Sequence, residues 1–291
     1  MKAPIAFSLF AVLLAVAPVT LAQPIRVRPA DPTTFDLIAD YSHAGRAAIH
    51  EGTLPLGAIE STHVRLGIEA AIPIRTRNTL RCGLRVQSLA FHPPALSPLP
   101  DTLGSASIHL GFSHVLNSPW SLTAEVNPGN YGNAFGVPAG FRAVYAVSRE
   151  LQWAAGVTYD WRSGHPILGA LGVRWQFAPE WAVSLLLPSP GIEWAATKTL
   201  TLFAGASLRD GTFRVARDFG RARARPALDG QMVDYREISA GAGAWWQFAP
   251  NTALHLTVGR MLDRRFEYAQ RNLLLNGDGA ASGQLALSAA W

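Results

Sequence analysis

From His63 to Ile72 the sequence places Val64, Leu66, Ile68, Ala70 and Ile72 on every second position, with His63, Arg65, Gly67, Glu69 and Ala71 between them. Period-two alternation gives an extended strand one apolar and one polar face, and it does not fit a helix of 3.6 residues per turn. The scheme recurs along the chain. Leu80, Cys82, Leu84 and Val86 oppose Arg81, Gly83, Arg85 and Gln87. Ala106, Ile108, Leu110 and Phe112 oppose Ser107, His109 and Gly111, and Trp120, Leu122, Ala124 and Val126 oppose Ser121, Thr123 and Glu125. Residues 35–41, 151–160, 167–177, 181–187, 192–196, 200–208, 238–248 and 254–258 behave alike. The last such stretch carries Leu285, Leu287 and Ala289 on one face and stops on Trp291. A chain built from so many two-faced strands has to give every apolar face a partner.

Two solutions exist. A soluble sandwich turns its apolar faces into one core, whereas a membrane barrel turns them outward to lipid. The polar faces here are small, made of Gly, Ser, Ala and Thr with occasional Arg, Glu and His, which suits a hydrated or tightly packed interior. Aromatics gather at strand ends, at Trp120, Trp153, Trp161, Trp175, Phe177, Trp181, Trp194, Trp246, Phe248 and Trp291. Trp and Tyr favour the membrane–water boundary, and such rings flanking an apolar band form the girdle of an outer-membrane barrel. The pentapeptide Trp-Gln-Phe-Ala-Pro occurs at 175–179 and again at 246–250, a repeated girdle-plus-turn unit. Short connections (75–78, 117–119, 148–150, 178–180, 197–198, 249–251) alternate with longer ones (44–60, 92–104, 128–138, 209–234, 263–280). The sequence therefore predicts an all-β fold, a transmembrane antiparallel up-and-down β-barrel of about 12–14 strands, an even count. Beyond the N-terminal segment no apolar run reaches the ~18 residues of a transmembrane helix.

The N-terminal segment predicts a cleavable export signal over residues 1–22. Lys2 gives the positive start, residues 5–19 the apolar stretch, and Thr20-Leu21-Ala22 the small-residue exit. Residues 23–34 read as a periplasmic lead-in and residues 35–291 as a single barrel domain. Cys82 is the only cysteine, so no internal disulfide can form, and it lies on an apolar face as a small hydrophobe. The formal net charge of +5 comes almost wholly from dispersed arginines, which argues against nucleic acid as a partner.

Several stretches resemble a known family: Leu186-Leu187-Pro188-Ser189-Pro190-Gly191-Ile192-Glu193-Trp194, Leu202-Phe203-Ala204-Gly205-Ala206, Asp234-Tyr235-Arg236 with Gly241-Ala242-Gly243, and Leu262-Asp263-Arg264-Arg265-Phe266-Glu267-Tyr268. They are similar to an uncharacterised family of outer-membrane β-barrel proteins of Gram-negative-type bacteria, catalogued as a domain of unknown function. The resemblance implies a fold and a compartment, the outer membrane. It brings no catalytic residue and no substrate.

For chemistry, the alternation points Arg65, Glu69, Arg81, Arg85, Glu125, Arg142, Arg174 and Glu193 into the lumen. They would either line a pore and set its ion preference or pair with one another and fill it. Ser42 with His43, Ser61 with His63, and Ser107 with His109 are the neighbours a lipid hydrolase would need, but Ser107 and His109 face the lumen, away from membrane lipid, and eight histidines scattered along the chain give such pairs by chance. No cofactor and no metal site are expected. Arg214, Arg217, Arg221, Arg223 and Arg225 belong to a solvated outer loop or grip lipopolysaccharide phosphates. Expected partners are outer-membrane lipids, lipopolysaccharide, and the barrel-assembly machinery, the last through Leu285, Leu287 and Trp291. The leading reading is a small-solute pore or a structural membrane barrel without catalysis. A lipid-modifying hydrolase and a secreted all-β binding module are the alternatives.

Overall fold

A computed structural model describes residues 33–95, 97–116 and 119–291. The expected export signal and nearly all of the lead-in lie outside the described residues, as does most of the turn expected at 117–119. Seventeen strands follow in order: β1 (Thr34–Glu51), β2 (Leu54–Arg75), β3 (Asn78–Phe91), β4 (Thr102–Val115), β5 (Trp120–Val126), β6 (Gly129–Tyr131), β7 (Ala134–Gly136), β8 (Ala139–Ala146), β9 (Leu151–Tyr159), β10 (Ile167–Ala178), β11 (Trp181–Ser184), β12 (Gly191–Ala195), β13 (Leu200–Arg214), β14 (Met232–Ala249), β15 (Thr252–Tyr268), β16 (Leu273–Gly277) and β17 (Ala280–Ala290). One short helix, α1 (Phe219–Ala222), lies between β13 and β14.

All strands join one antiparallel sheet that closes on itself. Fourteen of them form the ring, in the order β1-β2-β3-β4-β5-β8-β9-β10-β11-β12-β13-β14-β15-β17 and back to β1. The other three extend members of that ring. β6 continues β5 along β4, β7 pairs with β6 and leads into β8, and β16 continues β17 between β15 and β1. The seam is well made. β17 pairs with β1 from Ala290 opposite Asp36 to Ser282 opposite Ala44, and Phe35 and Trp291 exchange backbone hydrogen bonds of 2.8 and 3.0 Å.

The alternation sets what faces out. Leu66, Leu84, Val86, Ile108, Leu171, Leu256 and Val258 are all exposed. Ring pairs gather at the end that carries the tight turns: Phe35 with Trp291, Trp120 with Tyr145, Trp175 with Phe177, Trp181 with Trp194, and Trp246 with Phe248. No helix among the described residues is long and apolar enough to cross a membrane.

The wall is uneven. β1, β2, β13, β14 and β15 are long, whereas β11 and β12 have four and five residues. Two of the longer links expected from the sequence are therefore mostly strand. Residues 44–60 continue β1 and β2 up to a tight turn in which Gly52 has a φ of +59°. Residues 263–280 continue β15 and add β16. The reason is their apolar alternate positions, Ala47, Ile49 and Ile59, which fold inward as a core and are buried to 5%, 0% and 1% exposure. In the other direction, the strand expected over 181–187 ends at Ser184.

Candidate functional site in the barrel interior

The interior has two levels. Toward the tight-turn end, charged side chains pair along the wall. Arg65 on β2 donates to Asp40 on β1 at 2.9 Å, and Gln284 on β17 donates to the same carboxylate at 2.8 Å. Glu69 accepts from Arg81 at 3.2 Å and from Arg85 at 3.0 Å, both on β3. His109 stands between Glu69, at 3.6 Å from Nε2, and Asn127, at 2.9 Å from Nδ1. Arg174 donates to Glu193 at 3.0 Å, and Arg142 on β8 interacts electrostatically with Glu125 on β5. Six of the eight charged residues singled out from the sequence are thus held in ion pairs, and Arg142 and Glu125 lie within each other's field. Their partners sit on neighbouring strands, or two strands away for Arg174 and Glu193, so the pairs lie flat against the wall. The side chains of Arg81 and Arg85 remain 44% exposed.

Higher up is a cluster that the sequence reading missed. Glu237 on β14 accepts from Arg209 on β13 at 2.9 Å, from Arg264 on β15 at 3.1 Å and from the Tyr235 hydroxyl at 2.6 Å. Arg209 also donates to Ser42 at 3.1 Å, and Arg264 to Ser61 at 2.5 Å. These bonds reach from β13 to β1 and from β15 to β2, spanning several strands instead of following the wall. Arg209 and Arg264 fall in stretches that read as connections, which hid them. Their inward alternation with Leu208 and Asp263 was the available signal.

Ser42 and Ser61, considered as nucleophiles beside His43 and His63, thus accept hydrogen bonds from arginines. Among the described residues no three His, Cys, Asp or Glu side chains gather as a metal ion requires.

Above this cluster the inward positions become apolar and meet across the lumen. Phe91 of β3 packs on Tyr235 of β14 at 5.6 Å between ring centroids and edge-on against Phe266 of β15 at 5.1 Å. Ile49, Ile59, Leu89, Leu103, Val233 and Leu275 complete the core. Phe219 of α1 and Leu228 enter it from the link between β13 and β14, and the Tyr268 hydroxyl donates to Pro98 O at 3.0 Å from below the loop at 92–101.

The expected solvated loop is therefore a packed cover. Arg223 pairs with Asp101, Arg225 with Glu51 at 2.8 Å and Arg221 with Asp229 at 2.8 Å, while Arg214 donates to Gly230 O at 2.7 Å. Of the five loop arginines, these four hold the cover in place, because its apolar residues bring them within reach of strand-end acids and backbone. The β6–β7 hairpin closes the low side. It crosses half the ring so that Asn133 N donates to Arg214 O of β13 at 3.0 Å, and Arg162 stacks over the Tyr131 ring at 4.1 Å. Ser163 and Gly164 both donate to Asp234, at 3.1 and 2.8 Å.

At the seam, Leu285, Leu287 and Trp291 point outward and are 45%, 36% and 58% exposed. Trp291 stacks on Phe35 with centroids 6.2 Å apart.

Among solved structures, the chain is similar to a deletion mutant of TodX, described as a monoaromatic hydrocarbon channel. The two are 11% identical over 90% of this chain and 92% of that one, with a TM-score of 0.49. It is also similar to an outer membrane channel from Pseudomonas putida F1, at 11% identity over 92% and 99% of the chains and a TM-score of 0.48. Likeness to the KdgM porin is lower, at 10% identity over 87% and 98% of the chains and a TM-score of 0.37. No curated protein matches the sequence. The family model of a domain of unknown function, DUF6268, matches residues 79–275, from the start of β3 into β16, and the chain belongs to that family.

Proposed function

We propose that this protein is an integral outer-membrane barrel that passes small polar solutes and is held closed at its outer mouth in the conformation described. One observation carries the reading. Inside a ring whose outer face is apolar, the ion pairs lie along the wall and leave Arg81 and Arg85 open to water. A lumen serving only as packing would gain by burying such groups or omitting them, since exposed ion pairs add little stability. The apolar exterior and the aromatic ring pairs support placement in a lipid bilayer, with export by a signal cleaved near Gln23. Leu285, Leu287 and Trp291 then serve as the strand read by the assembly machinery, and outer-membrane lipids, with lipopolysaccharide in the outer leaflet, surround the wall. The serines engaged by arginines support a barrel without catalysis.

A second reading, a structural barrel, is favoured by the cross-lumen core of Phe91, Tyr235 and Phe266. Conductance of the refolded barrel in a planar lipid bilayer separates the two. Discrete, reproducible steps, in the native protein or once the cover at 215–231 is shortened, are the result expected of a pore. Silence of both properly inserted proteins overturns the pore and leaves the structural role.

A further inference from the structure

We propose that the buried arginine cluster around Glu237, the ceiling of the polar part of the interior, binds a small oxyanion, of the carboxylate or phosphate type, and that this site biases passage toward anions. The second clause rests on the pore reading above. Charge, counted level by level, leads there. At the lower level Asp36 and Glu69 stand with Arg81 and Arg85, two of each sign. At the ceiling Glu237 faces Arg209 and Arg264, with the mutually neutralising Arg65–Asp40 pair at the top of the wall level just beneath, which leaves one positive charge over.

That surplus is poorly solvated. The Arg264 side chain is wholly buried, and its Nη1 has no hydrogen-bond partner; neither has Nε of Arg65, nor, on the acceptor side, Oδ1 of Asp40. His63, itself buried, lies within the fields of Arg65, Arg209 and Glu237. Glu237 cannot supply more, because it already accepts from Arg209, Arg264 and Tyr235. An uncompensated buried cation is costly, and a guanidinium N–H without an acceptor adds to that cost. An oxyanion brings both the missing charge and the missing acceptors, in the planar geometry that guanidinium forks match. Arg65 and Arg209 keep about a quarter of their side chains exposed, at 26% and 23%, so the ceiling can be reached from the tight-turn end. The aromatic core above it ends the path.

The test compares the unfolding temperature of the refolded barrel in sodium acetate, sodium phosphate and, at matched ionic strength, sodium gluconate, whose polyol anion is much bulkier. Acetate or phosphate should raise the midpoint over gluconate. Arg209→Gln and Arg65→Gln each remove one positive charge and should abolish the difference, whereas Asp40→Asn should enlarge it. Equal midpoints in the native protein, or a difference that survives both Gln variants, overturn the site. In a bilayer under a KCl gradient, Arg209→Gln should lower the preference for chloride over potassium, on the order of fivefold. A silent bilayer with anion-dependent stability defeats the pore and keeps the site. A conducting barrel whose stability is indifferent to the anion defeats the site and keeps the pore.

Discussion

Glu237 and Glu69 are both carboxylates shared by two arginines, yet they sit in different media. Arg264 beside Glu237 is fully buried, whereas Arg81 beside Glu69 is 44% exposed. Breaking a buried pair strands the remaining charge away from water, and an exposed pair loses little when cut. Arg264→Ala should therefore destabilise the folded barrel by about 3–5 kcal/mol, and Arg81→Ala by no more than ~1 kcal/mol. Urea titrations of the two variants in the same lipid vesicles check the contrast, and similar midpoint shifts would contradict the assignment of levels. On the outer face, Leu66 is 52% exposed in the middle of β2. If lipid covers it, Leu66→Arg costs about 2–4 kcal/mol in a bilayer and much less in a detergent micelle that adapts around the charge.

Among the elements, the link between β13 and β14 has the largest consequence. Phe219 and Leu228 root it in the core, and Arg223 and Arg225 tie it to Asp101 and Glu51. Replacing residues 216–230 by a short Gly-Ser connection should give larger or more frequent conductance steps than the native protein, read in the same planar bilayers. An unchanged trace would mean that the aromatic trio closes the mouth without the cover. The strands that carry the wall were legible because Val64, Leu66 and Ile68 alternate with Arg65 and Glu69 under one rule, apolar out and polar in. That rule inverts toward the loop end, where Ile59, Leu89 and Phe91 hold the inward positions. There the inner face becomes a core, so strand read as connection. The partners of Phe91 on β14 and β15 lie far along the sequence, and no local periodicity encodes such pairings. The lower charged residues sit in strands that could be recognised and so could be named one by one, whereas Arg209 and Arg264, which flank Glu237 on adjacent strands, sit in stretches that read as connections.

At the scale of the whole molecule, the seam between β17 and β1 decides whether there is a barrel at all. Trp291 contributes a ring stacked on Phe35 and a backbone exchange with the same residue. Deleting Trp291 should lower the amount of folded protein in outer-membrane fractions, scored by heat-modifiable gel mobility, while leaving export itself intact. Unchanged levels would remove the closing strand from the assembly reading. Thirteen of the fourteen pairings around the ring join strands that follow one another in the ring's chain order, but β1 has to wait for β17 before its second side is paired. A copy cut before Ala280 would keep the lengths of β1 and β15 that β17 covers as open edges, templates for pairing with any passing strand. Ring closure is therefore what hides both edges at once, and a truncated copy has no other strand to cover them.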